Sequence, residues 1–67
     1  MMHYDQLFEL DLSTKETVEA IMDGHFNVDG YDDNLQLAED YLIEIESRYY
    51  GEDTSKAWQV INYANVL

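Results

Sequence analysis

Between Leu35 and Tyr49, apolar residues fall at Leu35, Ala38, Tyr41, Leu42, Ile45 and Tyr49. This is the three-and-four spacing that aligns side chains on one face of a helix. That face must be covered, so the remainder of the chain is expected to pack on it. The opposite side carries Glu39, Asp40, Glu44 and Glu46; Asp32 and Asp33 stand just ahead of the first turn, and no basic residue follows until Arg48. Asp40 and Glu44 stand four apart, where like charges cost an isolated helix roughly a few tenths of a kcal/mol, and Ile43 lies among the acids. Helix stability does not favour that pattern.

The charge extends over the whole chain. Three Lys and Arg stand against fifteen Asp and Glu, a net charge of −12 in 67 residues. Charge on this scale works against compactness by self-repulsion. Disorder is still not expected, because 46% of residues are apolar, nine are aromatic and the helical periodicity is clean. A single domain over residues 1–67 follows from the length. A core of this size supplies only about 3 to 5 kcal/mol without further help, and with no cysteine that help cannot come from a disulfide or a thiolate metal site. No apolar run approaches a membrane span, and the opening MMHYDQLFEL has an acid where a signal peptide needs bases. A soluble, cytoplasmic protein is expected. Anionic lipid and nucleic acid would both repel it, since phosphate affinity comes from Lys and Arg; neither membrane nor direct nucleic-acid binding is expected.

Local signals divide the chain. Residues 1–12 read as a short helix or arm, with Tyr4, Leu7 and Phe8 on one side, or as a strand in which Phe8, Leu10 and Leu12 alternate with acids. A strand would need a partner, for which His25 to Val28 is the candidate. Ser13 followed by Glu16 has capping-box spacing, which predicts a helix from Thr14 to Asp23. Val18, Ile21 and Met22 face inward there, Glu16, Glu19 and Asp23 form a second acidic stripe, and Gly24 ends the helix. A loop rich in Asn and Asp follows to Asp33. After the long helix Gly51 repeats the stop, and Asp53, Thr54 or Ser55 caps a last helix over Ser55 to Ala64. Its inward stripe is Ala57, Val60, Ile61 and Ala64, flanked by Trp58 and Tyr63. The class expected is all-α, with three or four helices and an N-terminal segment that is a short strand or arm.

Catalytic and metal chemistry find little support. His25, Asn27, Asp29, Gly30 and Asp33 occupy positions 1, 3, 5, 6 and 9 of an EF-hand loop, yet position 1 is His and position 12 is Gln36 where a bidentate Glu is needed. An Asx-rich turn accounts for the same residues. His3 and His25 show no ligand spacing. There is no nucleophile constellation or phosphate-binding glycine loop, and a chain this short has little volume for a pocket that would raise one carboxyl's pKa. No cofactor is implied, and no enzyme activity is expected. Tyr31, in the acidic loop, and the adjacent Tyr49 and Tyr50 are candidate contact residues, because Tyr gives binding area at low entropy cost.

Acids on a helix at i and i+4 rise by about 6 Å, similar to the separation of consecutive phosphates on a DNA strand. Asp40 with Glu44, Glu16 with Glu19 and Asp23, and the turn acids Asp29, Asp32 and Asp33 thus suit a groove lined with Lys and Arg. In size, charge and acidic spacing the chain resembles the small acidic proteins by which phages block host nucleases, the DNA-mimic anti-restriction and anti-CRISPR inhibitors. That resemblance implies a non-catalytic inhibitor, active in the host cytoplasm as a monomer or homodimer, whose acids occupy the nucleic-acid channel of a nuclease or CRISPR complex. Tyr49-Tyr50 followed by Gly51, Glu52 and Asp53 is similar to the Tyr-Tyr segment of acidic immunity proteins. This second resemblance implies a nuclease toxin bound through acids and exposed tyrosines. A small acidic adaptor subunit is the third reading.

Overall fold

Three α-helices, α1 (Thr14–Met22), α2 (Asn34–Arg48) and α3 (Ser55–Val66), follow a 3-10 helix at Tyr4–Glu9 in the computed structural model, which describes residues 1–66. The fold is all-α, as the spacing predicts. Each boundary has a local cause. Ser13 Oγ accepts from the Glu16 N–H at 3.1 Å while Glu16 Oε1 accepts from the Ser13 N–H at 3.0 Å, the reciprocal capping box. At the far end of α1, His25 N–H donates to Ala20 O and Gly24 N–H to Ile21 O, both at 3.0 Å. This pairing requires the left-handed backbone that Gly24 adopts, with φ of 80°. Asp33 caps α2 by accepting from the Leu35 N–H at 3.0 Å. Asp53 Oδ1 accepts from both the N–H and the hydroxyl of Ser55, at 3.0 and 2.7 Å, where α3 begins.

The core is one cluster: Leu7, Val18, Ile21, Val28, Leu37, Ala38, Tyr41, Leu42, Ile45, Ala57 and Ile61. α1 packs against both α2 and α3. Three details depart from the spacing. Leu37 is buried although it lies off the anticipated stripe, because the N-terminal arm and the loop carrying Val28 add to the same core and widen the covered face of α2. Tyr49 is exposed because α2 ends at Arg48, leaving Tyr49 as the cap with non-helical backbone. Ala64 is exposed with its neighbours Asn62 and Tyr63, since that turn of α3 lies beyond the last core residue, Ile61.

The opening segment combines both readings. Met2 forms a single parallel bridge with Val28, donating its N–H to Asn27 O at 2.9 Å and accepting from the Asp29 N–H at 2.8 Å. The next residues turn into the 3-10 helix, where Gln6 Oε1 accepts from the His3 N–H at 2.7 Å. The helix lays aromatic rings on α2: Phe8 packs on Tyr41 with centroids 5.2 Å apart, and Tyr4 meets Phe8 edge-on at 5.4 Å. The molecule measures 30 × 30 × 18 Å. Its short dimension is less than two helix diameters, so every helix keeps a side in solvent.

Candidate functional site

The bridge at Met2 and Val28 brings two distant tyrosines to the outer side of α2. Tyr31 lies just after the bridged Val28, to whose carbonyl its N–H donates at 3.1 Å. Tyr4 opens the 3-10 helix on the other side of the bridge. The two rings stack with centroids 5.7 Å apart and planes at 22°. Tyr31 Oη donates to Asp40 Oδ2 at 2.6 Å, and Tyr4 Oη to the Asp40 carbonyl at 3.0 Å. Gln36 Nε2 donates to Asp40 Oδ1 at 2.8 Å. One turn further along α2, Glu44 accepts from Arg48 Nε at 3.0 Å, and Arg48 also reaches Asp5 at 3.6 Å while its guanidinium sits 4.2 Å from the Phe8 ring centroid. Tyr4, Tyr31, Asp40, Ile43 and Glu44 enclose a shallow hollow of about 290 Å³.

Electrostatics mark the hollow as anionic. The Tyr31 phenol is pushed up to about 12, first by its hydrogen bond to Asp40 and then by burial. Tyr4 is also pushed up to about 12, by burial and then by Tyr31, Glu44 and Asp40. Both phenols therefore stay protonated at neutral pH and serve as donors. The Glu44 hydrogen bond raises the Arg48 guanidinium above its ordinary value.

The remaining acids divide by occupation. Asp33 and Glu16 cap helices, and Glu16 is held below the usual carboxylate range by the Ser13 hydrogen bonds. Glu46 Oε2 accepts from Thr54 at 2.6 Å and from the Trp58 indole at 2.9 Å, which lowers its pKa and ties α2 to the start of α3. Glu19 pairs with Lys15 at 3.7 Å, and Asp23 stands 4.0 Å from His25. The side chains of Asp29, Asp32 and Glu39 have no hydrogen-bond or ion-pair partner among the described residues. Tyr31, Asp40 and Glu44 are thus brought together, whereas Glu16 and Glu19 belong to α1, Asp23 caps its end, and Tyr49 lines a separate hollow of about 210 Å³ with Leu7, Phe8, Leu12 and Glu52. Tyr50 is 99% exposed.

Tyr4 and Asp5 join the site without a signal in the spacing. The hydroxyl of Tyr4 bonds a carbonyl 36 residues away, a pairing that only the folded chain creates. The loop with partial EF-hand spacing is used otherwise: Asn27 and Asp29 pair with Met2 through backbone and Asp33 caps α2. Among the described residues no three His, Asp or Glu side chains converge as metal ligands, and no helix is long and apolar enough to cross a membrane. No family model, curated protein or solved structure matches the chain.

Proposed function

We propose that the protein is a non-catalytic inhibitor whose acidic surface occupies the basic nucleic-acid-binding groove of a nuclease or CRISPR effector. The observation that carries this reading is the outer side of α2 and the loop before it. Asp29 and Asp32 in that loop and Glu39 on α2 have no side-chain hydrogen-bond or ion-pair partner among the described residues, and Asp40 and Glu44 lie on the flank of α2 that faces Tyr4 and Tyr31. Two of the three basic residues are already paired with the chain's own acids, Lys15 with Glu19 and Arg48 with Glu44 and Asp5. The field around the molecule is therefore negative and meets a cationic groove favourably, which speeds association. The capping acids Asp33 and Glu16 and the tie formed by Glu46 contribute charge while also holding the fold.

A displacement assay tests the proposal. A fluorescent DNA duplex is bound to each of a panel of nucleases and CRISPR effectors and titrated with the protein. The expected outcome is displacement from a member of the panel, weakening steeply as salt rises. Loss of cleavage with the duplex still bound contradicts mimicry. That outcome favours the immunity-type reading, which the exposure of Tyr50 beside Glu52 and Asp53 supports; Tyr49→Ala and Tyr50→Ala would then weaken inhibition most.

A further inference from the structure

We propose that the hollow beside α2 receives one arginine side chain of the partner. The inference rests on the reading of the protein as occupant of a basic groove, and it assigns a shaped contact within an otherwise diffuse charge match. Tyr4 and Tyr31 line the hollow with stacked, half-exposed rings, whose electron-rich faces attract a cation. Asp40 takes only neutral donors, Tyr31 and Gln36, so its charge is not cancelled. Glu44 meets Arg48 through Oε2, and its other oxygen has no partner among the described residues. Ile43, 57% exposed, supplies an apolar wall for the methylenes of a long cationic side chain.

The molecule already holds one arginine in this way. Arg48 lies over the Phe8 ring at 4.2 Å between Glu44 and Asp5, at 3.0 and 3.6 Å. The hollow repeats those ingredients one helical turn earlier, with Tyr4 and Tyr31 as the rings and Asp40 and Glu44 as the carboxylates. None of the chain's own cations fills it: Arg48 and Lys15 are paired, and Lys56 stands beside Asp53 at the start of α3. Asp5 and Glu44 share the single guanidinium of Arg48, and Asp40 has no cationic partner among the described residues, which leaves negative charge in excess at this spot. Arginine is favoured over lysine because a planar guanidinium can stack on a ring and bridge two carboxylates, whereas an ammonium is a compact, strongly hydrated point charge.

The test is an NMR titration of the isotope-labelled protein at low salt with acetylated, amidated glycyl-arginyl-glycine and its lysine and citrulline counterparts. Shifts are expected to centre on the amides of Tyr31, Asp40, Ile43 and Glu44, strongest for arginine and absent for neutral citrulline. Asp40→Asn keeps an acceptor for Tyr31 and is expected to weaken the arginine peptide roughly two- to fivefold, the worth of a partly exposed ion pair. Tyr31→Leu is expected to abolish the preference for arginine over lysine. Shifts spread evenly over all acids, equal affinity for the two cationic peptides, or parental affinity in Asp40→Asn each overturn the proposal. Displacement of duplex together with diffuse peptide shifts would overturn the arginine site and leave the inhibitor reading standing. Localised arginine binding without displacement from any effector would support the site and overturn the inhibitor reading.

Discussion

Glu46 shows how a single carboxylate in a strongly acidic chain can be structural. Thr54 and Trp58 both donate to one of its oxygens, so Glu46→Ala is expected to lower the melting temperature in a calorimetric scan. Asp32→Ala, which removes an acid without such donors, is expected to leave it unchanged or raise it by relieving repulsion. Ser13→Ala removes a helix cap and is expected to cost about 1 kcal/mol in urea denaturation. The titration of these groups has a definite sign. Glu16, Glu46 and Asp53 have folded pKa values lowered by their hydrogen bonds, so their stabilisation is present above the ordinary carboxylate range and is lost as pH falls through the lowered values. Tyr4 and Tyr31 are raised to about 12; their contribution holds below the ordinary phenol value and is lost as pH rises towards 12. Tyr31→Phe is expected to flatten that alkaline loss in a pH series of melting curves. Legibility at this scale follows sequence separation. The Ser13 and Glu16 box spans three residues and is visible in the chain; Tyr31 with Asp40 spans nine and Tyr4 with Asp40 spans 36, and no local rule couples residues so far apart.

The helices were legible because their periodicity and stop signals are local. Ser13, Asp33 and Gly24 set boundaries by hydrogen bonds within a few residues, and Gly24 keeps its left-handed backbone at φ of 80°. Gly24→Ala is therefore expected to cost about 1–2 kcal/mol in denaturant unfolding, with the cost arising from backbone strain, since an added Cβ meets only Asn34 Nδ2 at an ordinary 3.6 Å. What the spacing missed is tertiary. Leu37 is buried because the bridged loop and the N-terminal arm cover a second flank of α2, and Ala64 is exposed because that turn of α3 is not covered by the described residues. Leu42 is fully buried in α2, within the core the elements share. Leu42→Ala is expected to cost about 2–5 kcal/mol, comparable with the whole stability of a core this size, so circular dichroism should show a largely unfolded chain at room temperature.

At the scale of the molecule, −12 of charge on a slab 18 Å thick gives self-repulsion that salt can screen. Raising sodium chloride is expected to increase the melting temperature by a few degrees and, in the same range, to weaken any complex formed through the acidic surface. This opposition separates the two uses of charge: folding proceeds despite it and recognition depends on it. The most direct measurement is duplex displacement by a variant in which Asp29→Asn, Asp32→Asn and Glu39→Gln are combined, since those side chains make no hydrogen bond or ion pair among the described residues. At unchanged melting temperature or above, the account predicts that displacement weakens by roughly tenfold, the summed worth of three exposed charge contacts. A variant that displaces the duplex as well as the parent would contradict it.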